Sequence, residues 1–138
     1  MNEYKFKDLN IGLSEEFDCI ITQDKLTKFR DISGDTNPLH NDEKYAKEHG
    51  FSGRVAYGLL TASLISTLGG VYLPGKYCLI QQIKSKFLLP VYIDDVLTVK
   101  GIVKELNESI QRAVIGIEIR NQHKEKVLKA TLDVGFLE

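Results

Sequence analysis

Four segments in the second half of the chain alternate apolar and polar residues with a period of two, the pattern of strands with one buried face. Segment 77–89 sets Ile83, Phe87 and Leu89 on its inward side, and segment 95–105 sets Leu97, Val99 and Val103 there. Segment 110–120 contributes Ala113, Ile115, Ile117 and Ile119. Segment 126–137 contributes Leu128, Ala130, Leu132, Val134 and Phe136. The breaks at Asn107 with Glu108, and at Asn121 through Lys124, are short enough to join antiparallel neighbours, so the pattern predicts a meander of long antiparallel strands.

A sheet with one apolar face needs a cover. The stretch 58–68, GLLTASLISTL, suits that task, because Leu59, Leu60, Ala62, Leu64, Ile65 and Leu68 spread around most of a helical wheel and so predict a buried helix. Gly69 and Gly70 are its expected stop, and Pro74 with Gly75 is a turn into the next strand. Upstream, Thr22 is a candidate cap for a helix over 23–32 with Leu26, Phe29 and Ile32 on one face. Asn41 or Asp42 can cap a second helix over 43–49, ended by Gly50. An additional strand is expected over 17–21. The expectation is an α+β chain, one domain over residues 1–138, with a long helix wrapped by a curved antiparallel sheet.

Charge and composition narrow the functions rather than the fold. With 18 basic against 19 acidic residues and no run of one sign, the chain lacks the footprint of a nucleic-acid binder. Cys19 and Cys78 are far apart and form no C-x-x-C, which gives neither a disulfide framework nor a metal site. The stretch 1–16 alternates charged and apolar residues without the apolar run of a secretion signal, and no stretch approaches roughly 18 uninterrupted apolar residues. The expectation is a soluble, cytoplasmic protein with no membrane partner.

Chemistry concentrates in residues 33–40, Ser-Gly-Asp-Thr-Asn-Pro-Leu-His. Pro38 forces Asn37 out of the helical region, so Asp35 and His40 are held on a turn and can converge. A carboxylate beside an imidazole can orient the ring, raise its basicity and position a water, which general acid and base work requires. The other histidines lack such a setting: His49 falls at a helix C-terminus and His123 in a polar turn.

The stretch from Phe29 to His40, with Ala46 beyond it, resembles the hydratase motif of MaoC-like (R)-specific enoyl-CoA hydratases. The likeness continues through Gly53-Arg54-Val55-Ala56-Tyr57-Gly58-Leu59-Leu60, Leu73-Pro74-Gly75 and Phe87-Leu88-Leu89-Pro90-Val91. That resemblance implies a hot-dog fold, a homodimer or dimer of dimers, and reversible hydration of trans-2-enoyl thioesters to (3R)-hydroxyacyl thioesters. The substrate would be a coenzyme A or acyl carrier protein thioester, with no metal and no organic cofactor.

Carried over by position, Asp35 and His40 would activate the water, and the Gly58 amide would meet the thioester oxygen. Asn37 would brace the loop, and Ser66 would lie near the dyad. The family usually carries histidine where this chain has Tyr57, a change expected to bear on substrate shape. Two alternatives remain open, a hot-dog acyl-thioester hydrolase and a non-catalytic acyl-thioester-binding subunit. The absence of Asp and Glu from 58–68 counts against the hydrolase.

Overall fold

The computed structural model describes residues 1–137. A 3-10 turn at Phe6–Asp8 leads into β1 (Ser14–Ile20), which is followed by α1 (Gln23–Ser33), α2 (Pro38–Asn41), α3 (Glu43–Glu48) and α4 (Gly58–Thr67). Then come β2 (Cys78–Phe87), β3 (Val96–Asn107), β4 (Arg112–Arg120) and β5 (Lys126–Phe136). The strands form one antiparallel sheet in the order β1-β3-β4-β5-β2.

The central strands follow the period-two reading closely. Val99, Val103, Ile115, Ile119, Leu128 and Leu132 are fully buried, and Ile65 and Leu68 meet them from the helical side. Local capping also falls where the sequence places it. Thr22 Oγ1 accepts from the Lys25 amide at 3.2 Å and Asp42 Oδ1 from the Tyr45 amide at 3.1 Å, each satisfying a helix-start donor. The strand expected over 17–21 exists and begins earlier, pairing Ser14 with Ile102.

Three expectations are corrected. The strands do not all run as one meander: β3, β4 and β5 do, whereas β2 pairs with β5 and lies at the sheet edge. With a neighbouring strand on one side only, the inward set proposed for β2 is open. Ile83 is 44%, Phe87 52% and Leu89 43% exposed. Second, α4 is not buried all round. Thr61 and Ile65 are buried, but Leu59, Ser63 and Ser66 form an exposed face, so the apolar residues predict an amount of burial that one chain does not supply. Ile32 likewise leaves the face it was assigned with Leu26 and Phe29 and stands 84% exposed.

Third, Gly69 and Gly70 do not stop the helix, which continues as a π-helical turn over Leu68–Tyr72. A Cβ on Gly69 would lie 3.1 Å from Leu132 Cδ2 and 3.3 Å from Cys78 Sγ, so the absent side chain lets this turn press on the sheet. Cys19 and Cys78 are free and half-buried, and burial pushes the Cys78 thiol up to about 11. No helix is long and apolar enough to cross a membrane.

Among the glycines within strands the closest approach is at Gly101 of β3, where a Cβ would fall 2.4 Å from Leu68 Cδ2 and 3.1 Å from Ile115 Cγ2. Leu68 and Ile115 are both fully buried and have little room to withdraw. Gly101→Ala is therefore expected to destabilise the fold by about 1–3 kcal/mol, the usual size of overpacking, as a lowered urea midpoint at unchanged slope.

Candidate active site

The loop between α1 and α2 is built by short-range polar side chains. Gly34 adopts φ 73° and its N–H closes on Arg30 O at 2.7 Å, ending α1 in the left-handed conformation that glycine takes without strain. Asp35 Oδ1 then accepts the Asn37 N–H at 3.0 Å, and Asn37 Oδ1 accepts the Leu39 N–H at 2.9 Å. Pro38 occupies the first helical position after this cap, where its missing N–H costs nothing. Asn37 thus caps α2 with its own side chain. The turn expected from Pro38 is also the start of a single helical turn, and that turn carries His40.

His40 Nδ1 is 2.7 Å from Val55 O. A carbonyl only accepts, so this contact fixes the proton on Nδ1 and leaves the Nε2 lone pair available. His40 also lines a cavity of about 320 Å³, together with Phe51, Val55, Ala56, Gly58, Thr61, Phe87, Leu88, Leu89, Pro90, Val91 and Val127. The wall is apolar apart from the imidazole, the Thr61 side chain and backbone groups.

Gly58 opens α4 at this cavity. The amides of Leu60 and Thr61 turn back to Tyr57 O at 3.1 and 3.2 Å, so those of Gly58 and Leu59 are the donors a helix start leaves outside its ladder. A Cβ on Gly58 would lie 3.1 Å from Phe87 Cε1, which places the glycine hard against the cavity wall.

Of the residues singled out from sequence, the structure brings His40 and Gly58 onto one cavity. Asp35 lies on the exposed loop and does not line the cavity; its backbone carbonyl accepts from the Tyr57 hydroxyl at 2.5 Å. Ser66 sits on the exposed face of α4 and does not line the cavity. Tyr57 is 2% exposed and packs behind the loop, so it does not shape the cavity directly. Sequence reasoning missed Thr61, whose buried Oγ1 has no hydrogen-bond partner among the described residues, and Asn41, which donates to both Asn37 O and the Tyr57 hydroxyl. A polar residue within the apolar run of α4 is the signal that could have marked Thr61. Val55 acts through its carbonyl, which no side chain announces. Among the described residues no group of three or more His, Cys, Asp or Glu could hold a metal ion.

The MaoC like domain matches residues 10–127. The chain belongs to the MaoC-like family. It is 39% identical over 108 residues to a 3-hydroxybutyryl-CoA dehydratase of Methylorubrum extorquens, covering 78% of this chain and 69% of that protein. To an (R)-specific enoyl-CoA hydratase of Rhodospirillum rubrum it is 36% identical over 104 residues, 72% of each. The fold superposes on an (R)-hydratase from A. caviae involved in PHA biosynthesis with a TM-score of 0.91 and 28% identity, covering 95% of this chain and 99% of that one. This MaoC-like chain therefore has the hot-dog architecture, with α4 as the central helix of the curved sheet.

Proposed function

We propose that this chain is a hydro-lyase that adds water reversibly across the double bond of trans-2-enoyl thioesters, giving (3R)-hydroxyacyl thioesters. The observation that carries the reading is that His40 and Gly58, the first residue of α4, line one apolar cavity, with Asp35 on the loop that leads into the His40 turn. The relatives named as dehydratase and hydratase support it.

In this reading the thioester carbonyl accepts from the Gly58 amide, where negative charge develops as the alkene is attacked. His40 Nε2 and the Asp35 carboxylate hold one water. Its oxygen bonds to C3, one of its protons passes to the dyad, and a proton from the dyad completes C2. Dehydration runs the same steps backwards. The thioester itself makes the C2 proton acidic, so the residues present suffice for the chemistry without a cofactor. A cavity of about 320 Å³ is at the small end of ligand sites and suits a short acyl chain. The carrier can be coenzyme A or an acyl carrier protein.

The active unit in this proposal is a homodimer. Ile83 and Phe87 on the edge strand β2 and Leu59 on α4 are large apolar residues open to solvent, and Phe87 also walls the cavity. A second copy seated there would cover them and close the site.

Crotonyl-CoA mixed with the purified protein is expected to lose its enoyl absorbance, and a series of enoyl chain lengths on both carriers would rank substrates. Absence of turnover on every enoyl thioester would sink the proposal. Release of thiol from saturated acyl-CoA would instead favour hydrolysis, which the lack of any Asp or Glu in α4 argues against.

A further inference from the structure

We propose that Tyr57 is a positioning residue that holds the Asp35 carboxylate in register with His40 by gripping the backbone of the loop between them, an inference that rests on the hydratase reading above. Its hydroxyl donates to Asp35 O at 2.5 Å across 22 residues of sequence, and accepts from Asn41 Nδ2 at 3.0 Å. The Asn41 amide also donates to Asn37 O at 2.9 Å, while Asn41 Oδ1 accepts from Arg30 Nη1 at 3.3 Å. The same ring lies 4.2 Å from the His40 ring at 31°. One buried side chain thus touches both members of the dyad, and a phenol has one proton to give, committed here to the Asp35 carbonyl.

The need for such a tether follows from how the loop is otherwise held. The carbonyls of Asn37 and Pro38 accept from His40 N and Asp42 N at 3.1 and 2.8 Å, bonds of the α2 turn itself. Those of Leu39 and His40 accept from Val55 N at 3.2 Å and Arg54 Nε at 2.8 Å. Asp35 precedes that turn; its exposed side chain accepts from the Asn37 amide at 3.0 Å, a bond within the loop itself, and packing does not fix it. Tyr57 extends the anchoring from His40 back to the Asp35 backbone, from which the carboxylate projects. A histidine at this position would have no hydroxyl to give, so the tether depends on the phenol.

Tyr57→Phe keeps the ring against His40 and removes only the hydroxyl. On crotonyl-CoA its kcat is expected to fall about 10- to 100-fold, as misplacement of a reacting group does, with KM changed by less than about threefold. In an Asp35→Asn background the same substitution should alter kcat by less than about twofold, because its effect passes through a carboxylate that is no longer there. A merely structural loss would multiply instead. Backbone amide exchange supplies an arm independent of turnover: Asn37 and Leu39, whose amides bond within the loop, should exchange faster in Tyr57→Phe while Ala46 does not.

Should Tyr57→Phe fail to fold, Asn41→Ala, which removes the donor that orients the phenol, is expected to shift kcat and the same two amides in the same direction by a smaller factor. An undiminished kcat, a loss that multiplies in the double variant, or unchanged exchange at Asn37 and Leu39 would overturn the assignment. If the unmodified protein turns over no enoyl thioester, the hydratase reading falls and the exchange result alone decides the tether.

Discussion

Replacing Asp35 by Asn is expected to leave a folded protein that hydrates crotonyl-CoA slower by about two orders of magnitude or more, the size of a general acid–base contribution. The substitution is nearly isosteric, and the side-chain oxygen that accepts the Asn37 N–H at 3.0 Å can still be an oxygen, so the Asx turn that shapes the loop survives. What disappears is the negative charge of the loop carboxylate and its ability to take a proton. The loss should therefore fall on kcat, with the melting temperature close to that of the unmodified protein. Steady-state kinetics with a thermal melt separates the two readouts, and full activity in Asp35→Asn would remove this carboxylate from the mechanism.

Ile83→Asp is expected to convert the proposed dimer to monomers and to lower hydration activity by about tenfold or more. Ile83 is 44% exposed on the edge strand and faces the same side as Phe87, but it does not line the cavity. A carboxylate there has no partner in a covered apolar interface, and burying it unpaired costs several kcal/mol, enough to split an interface of ordinary size. Within one chain the same position is open to water, so the fold should tolerate the change. Light scattering reports the mass and the crotonyl-CoA assay the activity. A dimer that persists, or a monomer with full activity, would overturn the assembly proposed for the site.

What the sequence makes legible depends on how far each structural cause reaches along the chain. Thr22 and Asp42 cap helices through amides three residues on, and the Asp35–Asn37–Leu39 turn is made of neighbours, so residue order alone discloses them. The buried faces of β3, β4 and β5 are legible because both of their flanks are filled and the period-two pattern has one meaning there. Ile83 and Phe87 carry the same pattern yet stand open, since an edge is defined by the missing neighbour and not by the strand's own residues. Tyr57 is harder still. Its hydroxyl acts on a carbonyl 22 residues away, and nothing in the residue type distinguishes a cavity wall from a strut behind the loop.

The pairing of Ser14 with Ile102 joins β1 to β3, and everything between them, α1 through β2, lies inside the loop that this pairing closes. Closing a loop that long adds little to the thermodynamic cost, which grows only with the logarithm of its length, but non-local pairings form late and slowly. Asp35, His40 and Gly58 all sit within that enclosed segment. During synthesis the residues proposed for catalysis are made early and assembled late, because their helices have no sheet to rest on until strands from the last third of the chain have emerged.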